Sequence, residues 1–161
     1  MRVLLVRHGE AVDMRSAPTD SDRWLTNAGR RAVTRLGETL TKLDLRYSCI
    51  YTSPLVRAVQ TAEILAAVHP DFEGPVEVHR ALGSEEGTTA QALAPLAHAH
   101  EDDLIVMVTH VPKIGVLAGH LCDLDTAPAF RTGSAGLVEI EDGQGRFRWM
   151  LDPDTLAPRT R

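Results

Sequence analysis

Val3-Leu4-Leu5-Val6-Arg7-His8-Gly9-Glu10 is an apolar run that stops on an arginine, a histidine and a glycine. Four branched apolar residues without polar alternation suit a central strand covered on both faces, as in parallel sheets flanked by helices. In such sheets ligands gather at the carboxyl ends of the strands, so Arg7 and His8 stand where a site would form. Strand alternation sends the two side chains to opposite faces. A positive φ at Gly9 would turn the chain and aim both into one crevice. Taken alone, a histidine at a strand end is more often a hydrogen-bonded structural residue than a nucleophile, so the rest of the chain decides.

The 161 residues fit a single domain, 1–161, large enough to bury a core. A net charge of −5, with no stripe of Lys or Arg among aromatics, argues against nucleic-acid binding, so any anion site must be local. Arg30, Arg31 and Arg35 fall at helical spacing and read as a solvated face. The two cysteines, Cys49 and Cys122, form no disulfide framework, which favours a reducing compartment. The N-terminal apolar run is too short for a signal-peptide core or a membrane span. A cytoplasmic monomer with no membrane association is therefore expected.

Working outward, residues 10–23 are polar, broken by Pro18, and read as a loop over the strand end. Thr26 or Asn27 caps a helix with Ala32, Val33, Leu36, Leu40 and Leu43 at helical spacing, ending near Lys42. Residues 48–52 read as a second buried strand. Ser53 and Pro54 read as a cap and first helical residue of a helix running to Val68, which places Arg57 in its first turn. Val76 to Val78 is a possible short strand. Thr88 or Thr89 opens a helix toward His98, with a break at Pro95. Leu104 to Thr109 reads as another central strand ending on His110, and Pro112 starts the helix that follows. From Gly136 to Leu151 the pattern is a hairpin with a Gly-rich turn. The last ten residues read as a loose tail. The expected architecture is a three-layer α/β/α sandwich with a mixed, mainly parallel sheet and an antiparallel C-terminal edge.

Three strand-to-helix junctions thus carry Arg7 with His8, Arg57, and His110. Brought to one sheet edge, they form a pocket of two guanidinium forks and two imidazoles that suits a phosphoryl group. An imidazole attacks phosphorus only when neutral, and neighbouring arginines oppose its protonation.

Arg7-His8-Gly9 after an N-terminal strand, Thr52-Ser53-Pro54-Leu55-x-Arg57-Ala58-x-Gln60-Thr61-Ala62, and Val108-Thr109-His110 before a helix together resemble the histidine phosphatase (phosphoglycerate mutase-like) superfamily. The small size, Leu25-Thr26-x-x-Gly29 and Phe130-x-Thr132-x-Ser134-Ala135 look most like its SixA-type phosphohistidine phosphatases. The resemblance implies His8 as a nucleophile that becomes phosphorylated and Arg7, Arg57 and His110 as the phosphate pocket. It implies no metal and no cofactor. The substrate would be a phosphorylated protein such as a histidine phosphotransfer domain. A small phosphorylated molecule, or phosphate binding without catalysis, are the alternatives. Larger members carry an acidic residue after the second helix; here only Glu85 and Glu86 are candidates for a general acid, and two solvated loop carboxylates are the simpler reading. Gln60 and Thr61 read as packing residues or as supports for Arg57. Ser53 reads as a cap, and Ser134 as a residue that could approach the pocket. His69, His79, His98, His100 and His120 read as packing or surface residues.

Overall fold

The computed structural model describes residues 1–84, 86–126 and 128–160. One seven-stranded sheet organises it, with β1 (Arg2–Arg7), β2 (Cys49–Thr52), β3 (Val76–Val78), β4 (Leu104–Thr109), β5 (Ala135–Glu141), β6 (Gln144–Leu151) and β7 (Pro158–Arg159) in the spatial order β3-β2-β4-β1-β5-β6-β7. The first four positions pair in parallel, and β5, β6 and β7 are antiparallel. The helices are α1 (Asn27–Lys42), α2 (Val56–Val68), α3 (Thr89–Leu93) and α4 (Lys113–Cys122).

Alternation along the central strands divides the core in two. Leu4 and Val6 of β1, with Leu104, Val106 and Val108 of β4, pack against Val33, Leu36 and Leu40 of α1 and Ala58, Ala62 and Leu65 of α2. Val3, Leu5, Ile105 and Met107 face the other way, onto Ile114, Leu117 and Ala118 of α4 and Ala92 of α3. This is the expected sandwich, and it explains why β1 and β4 carry unbroken apolar runs. Arg30, Arg31 and Arg35 are exposed, as a solvated helix face requires. Cys49 and Cys122 are free thiols. Among the described residues no helix is long and apolar enough to cross a membrane.

Several boundaries depart from expectation. Helix α2 begins at Val56, because Leu55 is still extended: Ser53 N–H donates to Val108 O of β4, and Leu55, not Ser53, is the N-cap residue. Ser53 Oγ instead accepts from Leu55 N at 3.3 Å. Thr88 caps α3 through a reciprocal bond with Gln91, but the helix ends at Leu93 and continues as a 3₁₀ turn over Ala94–His98, where Pro95 cannot supply an N–H. The tail is held rather than loose: β7 pairs with β6, Leu156 packs on the core, and Asp152 accepts from Asp154 N at 2.9 Å. A polar tail conceals this, because one leucine and one aspartate-centred turn do the anchoring. Asp142 and Gly143, with φ of 50° and 75°, form the β5–β6 turn that the hairpin pattern called for.

Gly9 does not take a positive φ. Its need is for space, since a Cβ there would lie 2.7 Å from Val33 Cγ2. Gly29, in the first turn of α1, is more constrained still: a Cβ there would run into the carbonyl oxygen of Glu10. The missing side chains let α1 settle directly on the segment that carries His8. Gly29→Ala is therefore expected to destabilise the fold by ~1–3 kcal/mol or more, read as a lower urea midpoint. Gly119→Ala, whose Cβ would meet nothing closer than Leu124 O at 3.8 Å, should gain about 0.5–1 kcal/mol from helix propensity.

Candidate active site

The carboxyl ends of β1 and β4 lie side by side, since Arg7 pairs with Thr109 and His8 N donates to Thr109 O at 3.1 Å. Arg7, His8, Arg57 and His110 consequently line one cavity of about 430 Å³, together with Glu10, Asp20, Arg23, Ser84 and Thr132. Alternation is not overcome by a turn at Gly9. The cavity straddles the sheet edge, so side chains leaving on opposite faces still reach it.

The imidazole of His8 is fixed at both nitrogens. Nδ1 lies 2.8 Å from Gly9 O, which can only accept, so Nδ1 carries the proton. Nε2 then holds the lone pair and accepts from Arg57 Nε at 3.2 Å. Thr61 supports both partners, accepting from Gly9 N at 3.1 Å and donating to Arg57 O at 2.7 Å. Gln60 serves packing, its side-chain oxygen accepting from Leu25 N at 2.8 Å.

Arg7 donates from Nη1 to Phe130 O at 2.8 Å, which aims the guanidinium across the strand end. Its Nε is buried without a partner, as is His110 Nε2. His110 Nδ1 lies 3.3 Å from Thr109 Oγ1, and that hydroxyl gives its own proton to Leu82 O at 2.7 Å. The hydroxyl therefore receives the Nδ1 proton, which leaves His110 Nε2 bare. Two unpaired buried polar atoms, on two residues of one cavity, mark a place built for a polar ligand.

Burial lowers His8 from its ordinary 6.5 to about 4; the bond to Gly9 O opposes the shift, and Arg57, Arg7 and His110 add to it. Burial, more than the arginines, thus keeps this imidazole neutral, which corrects the emphasis drawn from sequence. His110 is likewise lowered to about 4, chiefly by burial and then by Arg57 and Lys113. Asp20, absent from the residues picked out by sequence, sits against Arg57 with Oδ2 2.9 Å from Nη2. Bonds from Arg23 and Arg57 hold its carboxyl below the usual range.

Glu86 is exposed and does not line the cavity, and Glu85 lies outside the described residues. Ser134 is buried with its hydroxyl given to Arg131 O at 2.7 Å. His69 packs on Tyr47 and bonds Leu45 O, His79 bonds Gln91 O, and His98, His100 and His120 are exposed. Among the described residues no group of three or more His, Cys, Asp or Glu side chains gathers as metal ligands.

A doubly covered α/β sheet that presents a neutral imidazole beside a guanidinium at its carboxyl edge, with Arg7 and His110 lining the same cavity, is an arrangement suited to a tetrahedral oxyanion. Residues 3–84 match the Histidine phosphatase superfamily (branch 1), and the chain belongs to that family. It is 33% identical over 158 residues to an uncharacterized protein of Picosynechococcus sp., covering 94% of this chain and 92% of the relative. It is 27% identical to the phosphohistidine phosphatase SixA of Escherichia coli, covering 97% and 96% of the two chains. A solved structure of the protein histidine phosphatase SixA complexed with tungstate superposes with a TM-score of 0.86 at 29% identity, covering 98% of this chain and 100% of that one.

Two histidines kept neutral by the fold make stability depend on pH. Between about 6.5 and about 4 the unfolded chain binds protons that the native His8 and His110 refuse. Stability present above that window is therefore lost as pH falls through it, by up to about 3 kcal/mol for each histidine, and the slope levels off below. Denaturant unfolding across this range should show uptake approaching two protons on unfolding, and His8→Asn should reduce it to about one.

Proposed function

We propose that this protein is a metal-independent phosphatase, one domain spanning 1–161, that works through a phosphorylated His8 and removes phosphoryl groups from phosphohistidine on a phosphotransfer protein. The observation that carries this reading is the His8 Nε2 lone pair, set by Gly9 O on one side of the ring and met by Arg57 on the other, in a cavity where Arg7 Nε and His110 Nε2 are buried without partners.

In the first step His8 Nε2 forms a bond to phosphorus while the phosphorus bond to the substrate breaks. Arg7 and Arg57 neutralise charge on the equatorial oxygens, where a phosphoryl-transfer site gains most. The bare His110 Nε2 accepts a hydrogen bond from the hydroxyl of a monoanionic phosphoryl group, which keeps its proton. In the second step water attacks phosphorus and His8 departs. Because Gly9 O keeps a proton on Nδ1, His8 leaves as neutral imidazole.

The same logic selects the substrate. An ester must expel an alkoxide and needs a proton donor, and among the described residues the two carboxyl groups that line the cavity, Asp20 and Glu10, are each engaged by a hydrogen-bond donor. Asp20 is held ionised, Glu10 Oε1 accepts from Thr26 Oγ1, and Glu86 does not line the cavity. Phosphohistidine expels neutral imidazole once its second ring nitrogen is protonated, so substrate and intermediate leave by one chemistry. The name of the SixA relative and the tungstate of the similar structure, a tetrahedral oxyanion, support this reading.

Release of phosphate from a phosphohistidine-carrying phosphotransfer domain, with trapping of the phosphoenzyme, tests it. Wild type should turn over and form an acid-labile, alkali-stable phosphoenzyme; His8→Ala should form none. Arg57→Ala should lose roughly 10²–10³ in kcat. Faster turnover of phosphoserine or sugar phosphates would keep the nucleophile and discard the protein substrate, whereas full activity in His8→Ala would discard both.

A further inference from the structure

Asp20 lies in the loop after β1, yet it holds the far end of the guanidinium that His8 faces. Its Oδ2 accepts from Arg57 Nη2 at 2.9 Å and its backbone carbonyl from Arg57 Nη1 at 2.6 Å. Its Oδ1 accepts from Arg23 Nη1 at 2.9 Å, and Arg23 Nε donates to Val12 O at 2.6 Å. The neighbouring Ser21 O accepts from Val56 N at 3.0 Å, which pins the loop to the start of α2. A run of hydrogen bonds thus leads from Val12 through Arg23 and Asp20 to Arg57, and ends on His8 Nε2.

A guanidinium offers five N–H donors in one plane. Asp20 engages one from each terminal nitrogen and His8 engages Nε–H. Three bonds in different directions fix the plane, and the remaining terminal N–H groups are left for ligand oxygens. The pair is also lopsided, since the Arg57 side chain is 7% exposed and that of Asp20 is 43% exposed. The carboxylate is therefore the solvent-facing member of the pair, and it lines the cavity where its charge meets any bound anion.

We infer that Asp20 is a positioning residue for phosphoryl transfer: it sets the plane of Arg57 so that guanidinium and His8 Nε2 address one phosphoryl group, and its charge opposes retention of product phosphate. This rests on the proposed nucleophilic role of His8. A half-exposed ion pair adds little to stability, so the loop survives loss of the carboxylate, held by the Ser21 and Asp20 carbonyls.

The test compares wild type, Asp20→Ala and Asp20→Asn for turnover of a phosphohistidine-carrying phosphotransfer domain and for binding of inorganic phosphate by calorimetry. Asp20→Ala should lower kcat about 10- to 100-fold, as misplacement of a positioning group does, while phosphate binds more tightly. Asp20→Asn keeps an oxygen for Arg57 without the charge, so most of kcat should return while phosphate stays more tightly bound. An unchanged kcat in Asp20→Ala would overturn the inference. So would a parallel fall of kcat, phosphate affinity and thermal midpoint, which would mark a structural residue. A wild type that neither turns over phosphohistidine nor binds phosphate would overturn the proposed function itself.

Discussion

The contact between Arg57 Nε and His8 Nε2, 3.2 Å long and buried, sets the terms for everything around it. A guanidinium beside an imidazole is tolerable only while the imidazole stays neutral, and burial of the ring enforces that. Neutrality fixes the tautomer, because Gly9 O demands the proton on Nδ1. The tautomer leaves the lone pair on Nε2. Each requirement falls on a different part of the chain: the end of β1, the first turn of α2, and a loop that supplies a carboxylate to the guanidinium's other end.

The sheet delivers those parts without strained backbone. Parallel pairing of β1 with β4 brings His8 and His110 to the same edge, and β2 beside β4 brings the start of α2 alongside them. Thr61 then ties α2 back to Gly9, so the helix that carries Arg57 is gauged against the residue next to His8. The close approach of Gly29 to Glu10 performs the same service for α1.

Much of this was legible from residue order, since buried parallel strands advertise themselves as unbroken apolar runs and their ends are where chemistry collects. Arg7, His8, Arg57 and His110 were all found that way. Asp20 was not, because a carboxylate in a polar loop has no periodicity to betray it; only the folded chain shows which charge it meets. The glycine after His8 meets a spatial need rather than a conformational one, a distinction that depends on Val33, twenty-four residues away. The ordered tail escaped notice because its anchor is a single leucine, Leu156, on a core whose limits the sequence does not mark.

The division of the core by strand parity carries a consequence for how long the site stays assembled. His8, Arg57 and Thr61 are held by the layer that α1 and α2 cover, whereas His110 leads into α4 and the opposite layer. Packed layers on opposite faces of a sheet open with their own free energies. The cavity therefore persists only while both are closed, and its lifetime is set by whichever layer opens more readily, even when the sheet between them remains intact.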